Sequence, residues 1–64
     1  MNYVTRDIME TFGLTSEDAL GVQDYMDYSD IDYSECSAEE YANTMKEAYN
    51  LWSYEQLQSR KISG

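Results

Sequence analysis

A chain of 64 residues and 7.5 kDa makes one small domain, which should expose roughly 4,200 Å² when folded and bury only ~60% of its unfolded surface. Thirteen acids against four basic residues leave a formal net charge of -9 and a pI near 4.1, so no cluster of cations exists to bind a phosphate backbone by counterion release. There is no His and a single Cys, which excludes an intramolecular disulfide, a Cys/His zinc site within one chain and any His-based triad. Catalysis and a resident cofactor are therefore not expected. No apolar run approaches a membrane span, and Met1 to Leu14 contains no signal-peptide core. One free thiol without such a signal fits a reducing compartment, the cytoplasm.

Low mean hydropathy with high net charge leans toward disorder. Seven Tyr, one Trp and one Phe, no Pro and only three Gly lean the other way, and the apolar residues recur at helical spacings. A folded domain is the expectation. Taken in order, the first helix has Thr5 as its cap, Val4, Ile8 and Phe12 at i, i+4 and i+8, and Gly13 as a left-handed terminator. Leu14 leads into a second helix, in which Thr15 accepts the N–H of Asp18 in an approximate capping box. Ala19, Val22 and Met26 form its buried stripe. Gly21 weakens it by ~1 kcal/mol relative to Ala, and it should fray near Tyr28-Ser29-Asp30.

Ser29 to Cys36 reads as a loop, because its Ser and Asp side chains compete with helical backbone bonding. Ser37-Ala38-Glu39-Glu40 is a capping box that opens the strongest helix. Tyr41, Ala42, Met45, Ala48, Tyr49 and Trp52 share one face of it. Asn50 to Ser53 is expected to kink or end this helix, with Ser53 and Gln56 restarting a last turn. Arg60 and Lys61 then suit its C-terminal dipole. The fold class is all-α, a small bundle of three short helices, or four if the last one breaks. The core is expected to contain Ile8, Phe12, Val22, Met26, Met45, Ala48 and Trp52.

Charge is unevenly distributed. Residues 1–15 carry a net -1, residues 16–47 carry ten acids against Lys46 alone, and residues 48–64 carry a net +1. The helix–Gly–helix of Ile8 to Val22 has the outline of a helix-turn-helix, but Ser16, Glu17 and Asp18 would meet DNA first and be repelled. An EF-hand loop beginning at Asp30 places Asp30, Asp32 and Ser34 at positions 1, 3 and 5. It then has Glu35 where the turn demands Gly and Tyr41 where a bidentate Glu is required. Carboxylate pairs such as Glu39 with Glu40 need a dry concave pocket for acid–base chemistry, which so small a domain seldom encloses. Cys36 sits among acids, which raise a thiol's pKa and blunt its nucleophilicity. It reads as a half-buried packing residue.

The informative feature is the tract Asp24, Tyr25, Asp27, Tyr28, Asp30, Asp32, Tyr33, Glu35, Glu39 and Glu40, followed by Tyr41. Acids three or four apart on a helix lie ~5–6 Å from each other, near the spacing of successive phosphates, and each like-charge pair costs a few tenths of a kcal/mol. Solubility alone needs a net charge of magnitude ~2–8 and no exposed Tyr. Acids interleaved with stiff amphipathic rings suit an interface in which carboxylates meet Arg and Lys.

In this composition, over Glu17 to Glu47, the chain resembles small acidic phage-encoded inhibitors of host nucleic-acid enzymes. These include nucleic-acid mimics that block uracil-DNA glycosylase or restriction enzymes, and anti-CRISPR proteins. The likeness transfers no individual residue and implies no fold, since such inhibitors occur on unrelated folds. It implies a stoichiometric inhibitor whose acidic surface occupies the basic groove of a nucleic-acid-binding protein, without binding nucleic acid or membrane itself. The alternative is a helical adaptor that binds a partner through Tyr41, Met45, Tyr49 and Trp52. A homodimer is expected only if the acidic faces point away from each other.

Overall fold

The computed structural model describes the backbone of residues 3–63 and the side chains of residues 3–58. Three helices follow in chain order, α1 (Tyr3–Phe12), α2 (Ser16–Tyr28) and α3 (Ala38–Ser63), with no strand among the described residues. This is a small all-α bundle. The central α2 packs against both of its neighbours.

Capping decides the boundaries. Gly13 adopts a left-handed φ of 67° after α1, which lets the Leu14 N–H reach back to the Met9 carbonyl at 3.1 Å and satisfies a carbonyl that the helix end would strand. Thr15 accepts the Asp18 N–H at 3.3 Å and Ser37 accepts the Glu40 N–H at 3.1 Å, as their sequence patterns require. Thr5 does not cap α1. The helix begins at Tyr3, and Thr5 lies inside it between Val4 and Ile8, 2% exposed, donating its hydroxyl to Gln23 Oε1 on α2. Its methyl and hydroxyl serve a buried helix–helix contact, where a polar group must find a partner.

The expected break near Asn50 does not occur, so the described residues form no fourth helix. From Ala38 to Ser63 there is neither Gly nor Pro, and Asn or Ser inside a helix costs only a few tenths of a kcal/mol. α3 is therefore one element of 26 residues, about 39 Å long at 1.5 Å per residue. The molecule measures 42 × 20 × 15 Å. This elongation explains an accessible surface of 4753 Å², above the ~4,200 Å² of a rounder chain of equal mass. The side chains of Arg60 and Lys61, expected at the end of α3, lie outside the described residues.

Val4, Ile8, Ala19, Val22, Met26, Met45 and Ala48 form the buried core, so each helix contributes to it. Phe12 and Trp52 are half-buried rather than enclosed. They close the edges of the core as an aromatic row, with Phe12 stacked on Tyr49 at 4.1 Å between centroids and Tyr49 tilted against Trp52 at 6.0 Å. The Trp52 indole lies directly on Gly21, where an added Cβ would come within 2.7 Å of Nε1. Gly21 is thus a socket for the indole, and its helix-weakening effect accompanies a close helix approach.

Candidate protein-binding surface

The acidic tract gathers at the end of the bundle where α2 stops and α3 starts. Asp24 and Asp27 lie on the last two turns of α2, Asp30, Asp32 and Glu35 on the connecting loop, and Glu39 and Glu40 in the first turn of α3. All seven are exposed. The one ion pair among the described residues joins Arg6 to Glu10 at 3.8 Å, on the exposed face of α1. No carboxylate of the tract has a described cation as its partner.

Two local features oppose this arrangement. The carbonyl end of α2 carries partial negative charge, and its last turn has no basic residue to offset Asp24 and Asp27. Asp30 sits at φ 58°, a left-handed conformation easiest for Gly and then Asn. The backbone needs it there: the Ser29 N–H bonds the Tyr25 and Met26 carbonyls and the Asp30 N–H bonds the Asp27 carbonyl at 3.1 Å. Glu39 and Glu40, by contrast, meet the positive end of α3, where acids are favoured.

The tyrosines divide into two kinds. Tyr28 is 86% exposed and shares a shallow hollow with Asp24 and Asp27, while Tyr25 packs half-buried against the core with its ring tilted toward Tyr28. Tyr33 and Tyr41 meet edge to face at 6.3 Å, and each holds a carboxylate. The Tyr33 hydroxyl donates to Asp27 Oδ1 at 3.0 Å and the Tyr41 hydroxyl to Asp7 Oδ2 at 2.8 Å. Partial burial, then the carboxylate that each phenol faces, pushes Tyr33 up to about 12 and raises Tyr41 further. Both remain neutral donors at physiological pH.

Asp32 Oδ1 accepts the Ser34 hydroxyl at 2.7 Å and the Ser34 N–H at 3.0 Å. These bonds hold its carboxyl below the usual carboxylate range, so Asp32 stays charged in mildly acidic solution. The surface thus contains free carboxylates (Asp24, Asp30, Glu35, Glu39, Glu40) and two fixed by neutral donors (Asp27, Asp32). Among the described residues, no three Asp, Glu or Cys side chains come together in a way that could hold a metal ion. Cys36 is half-buried, with Sγ 3.9 Å from the Tyr33 carbonyl.

The face of Tyr41, Met45, Tyr49 and Trp52, expected as an adaptor surface, packs inward: Met45 is in the core and the three rings lie against it. Sequence reasoning missed Asp7, whose tie to Tyr41 spans α1 and α3, and the Thr5–Gln23 contact between α1 and α2. It also missed the exposed apolar side chains on the second half of α3, namely Leu51, Tyr54 and Leu57. Only an isolated Gly inside a helical pattern signalled the Gly21–Trp52 approach. Among the described residues, no helix is long and apolar enough to cross a membrane.

Fold and surface together define a small acidic helical protein with its charge concentrated at one end. No family model, curated protein or solved structure matches the chain.

Proposed function

We propose that the protein is a stoichiometric, non-catalytic inhibitor whose acidic end occupies the basic nucleic-acid groove of a partner protein. One observation carries this reading: seven exposed carboxylates share one end of the bundle, without a described cation between them. Two of them oppose a helix dipole and a third holds a left-handed position that suits Gly or Asn better. Such local costs support a surface kept acidic for a partner, since solubility needs less charge. Bonds from Tyr33 and Ser34 fix two of the carboxylates in place, which lowers the entropy lost on docking. The carboxylates of Asp24 and Asp27 beside the exposed ring of Tyr28 suit a groove lined with Arg and Lys.

The geometry also identifies which charges to remove. Asp27 and Asp32 hold hydrogen bonds, so neutralising them would perturb the loop. Asp24→Asn, Asp30→Asn and Glu35→Gln remove three charges whose side chains hold none, and Asn tolerates the φ of position 30. Capture from host lysate followed by mass spectrometry identifies the partner. Competition against that partner's own nucleic acid then tests the mechanism. The triple variant should compete at least about tenfold less well, since carboxylates facing desolvated cations dominate such contacts. Glu10→Gln with Glu55→Gln, outside the tract, should change affinity little. Wild-type affinity should fall steeply with added salt. A triple variant that competes as well as the wild type would refute the reading.

A further inference from the structure

We infer that the cleft between α1 and α3 is a binding site for a free aromatic amino acid in its zwitterionic form. Both helices pack on α2, and two contacts cross directly from one to the other. The Tyr41 hydroxyl bonds Asp7, and further along both helices Phe12 stacks on Tyr49. Between these contacts lies a hollow of about 270 Å³. Phe12, Tyr41 and the buried thioether of Met45 give it an apolar lining, on which a flat ring packs well. Ala42 fills little of the space, and Asp7, Thr11 and Lys46 complete the wall.

Charge selects the ligand. Asp7 lines the cleft from α1 and Lys46 from α3, and the two do not pair: the one ion pair among the described residues joins Arg6 to Glu10. Asp7 Oδ2 accepts the Tyr41 hydroxyl at 2.8 Å, while Oδ1 has no donor among the described residues. A carboxylate accepts several such bonds, so Oδ1 is open to an ammonium group. Lys46 is exposed, without a described carboxylate as partner, and its flexible stem lets the charge settle at the mouth of the cleft. An α-ammonium on Asp7, an α-carboxylate on Lys46 and a ring against Phe12 and Met45 match all three parts of the cleft at once. A zwitterion is neutral overall, so the net charge of -9 neither repels it, as it would an aromatic acid, nor draws it to the acidic end, as it would an amine. The hollow is below the ~300–1,000 Å³ of drug-sized sites, which suits a single amino acid. None of the seven carboxylates of the acidic end lines it, so the site stands apart from the inhibitor surface.

The test is an NMR titration of the isotope-labelled whole chain with L-phenylalanine, in mildly acidic solution. Backbone amide signals of Asp7, Thr11, Ala42 and Lys46 should shift and saturate with a Kd of about 1 mM, the range of so small a ligand, while those of Asp30 and Glu35 stay in place. L-phenylalaninamide lacks the carboxylate and N-acetyl-L-phenylalanine lacks the ammonium, and each should bind at least about tenfold more weakly. These two also stand for the first and last residues of a peptide, so they separate a free amino acid from a peptide end. Lys46→Gln should lose the preference for phenylalanine over its amide without loss of helical circular dichroism, because the side chain is exposed. Ala42→Leu, at another exposed position, should fill the cleft and abolish the shifts. The proposal is overturned if no shift saturates at about ten times the expected Kd, if either derivative binds as tightly as phenylalanine, or if Lys46→Gln keeps the preference. The Asp24→Asn, Asp30→Asn, Glu35→Gln variant should bind phenylalanine like the wild type, which separates failure here from failure of the inhibitor reading.

Discussion

At the scale of single residues, Gly21 is the position where propensity and packing disagree in sign. Helix propensity alone has Gly21→Ala stabilising by ~1 kcal/mol. The structure puts Trp52 Nε1 2.7 Å and Cδ1 2.9 Å from the added Cβ, and the indole is already held by Tyr49 on its own helix. Overpacking of that kind costs about 1–3 kcal/mol, which outweighs the propensity gain. Gly21→Ala should therefore lower stability by about 1 kcal/mol, with Trp52 fluorescence shifting to the red as the ring is displaced. In a Trp52→Ala background the same change should become stabilising. Chemical denaturation of the four proteins measures both signs, and a stabilising Gly21→Ala in the wild type would show that the indole moves aside freely.

The helices themselves were largely legible in the sequence, because their ends are written in local chemistry. Thr15 and Ser37 cap where their spacing to the next acid says they should, and Gly13 terminates α1 through the one conformation that favours it. What local chemistry does not encode is which side of an element another helix will cover. Thr5 has the character of a cap and is a buried contact; Trp52 has the character of a core residue and forms an edge. Tyr33 and Tyr41 read as interface rings, yet their hydroxyls hold Asp27 and Asp7. Each depends on residues between 6 and 34 positions away, beyond the reach of any spacing rule. The acidic surface was legible because charge in excess of any internal partner has to lie outside.

The end of α2 allows an element-scale prediction. Asp30 terminates the helix at φ 58° with a side chain that disfavours the conformation and adds charge to an already acidic end. Asp30→Gly removes the strain and one repulsive charge together, and should stabilise by about 0.5–1 kcal/mol. Asp30→Ala relieves the charge but keeps the Cβ, and Ala is less at ease than Asp in that region, so it should gain less than Gly or nothing. Thermal melts of both variants measure the difference. If Ala stabilises as much as Gly, repulsion and not backbone strain is the local cost at this turn.

For the whole molecule, the two phenol–carboxylate bonds predict how the fold fails at high pH. Tyr33 joins the loop to α2, and Tyr41 joins α3 to α1, so between them they tie together elements that the thin core joins only at its centre. Burial first, and then the facing carboxylate, raises both phenols, Tyr33 to about 12. A group that holds its proton more tightly folded than unfolded contributes stability that is complete below its unfolded pKa of about 10 and is lost as pH rises through the folded value. Helical circular dichroism should therefore hold from neutral pH to about 10 and fall between about 10 and 12. Phenolate absorbance from Tyr33 should rise only as that signal falls. Tyr33→Phe and Tyr41→Phe each remove one late-ionising group, so each should flatten this limb, and each should also lower stability at neutral pH by the loss of a bond to a charged acceptor. Phenolate absorbance that reaches completion while the helical signal stays unchanged would show that neither hydroxyl helps to hold the bundle together.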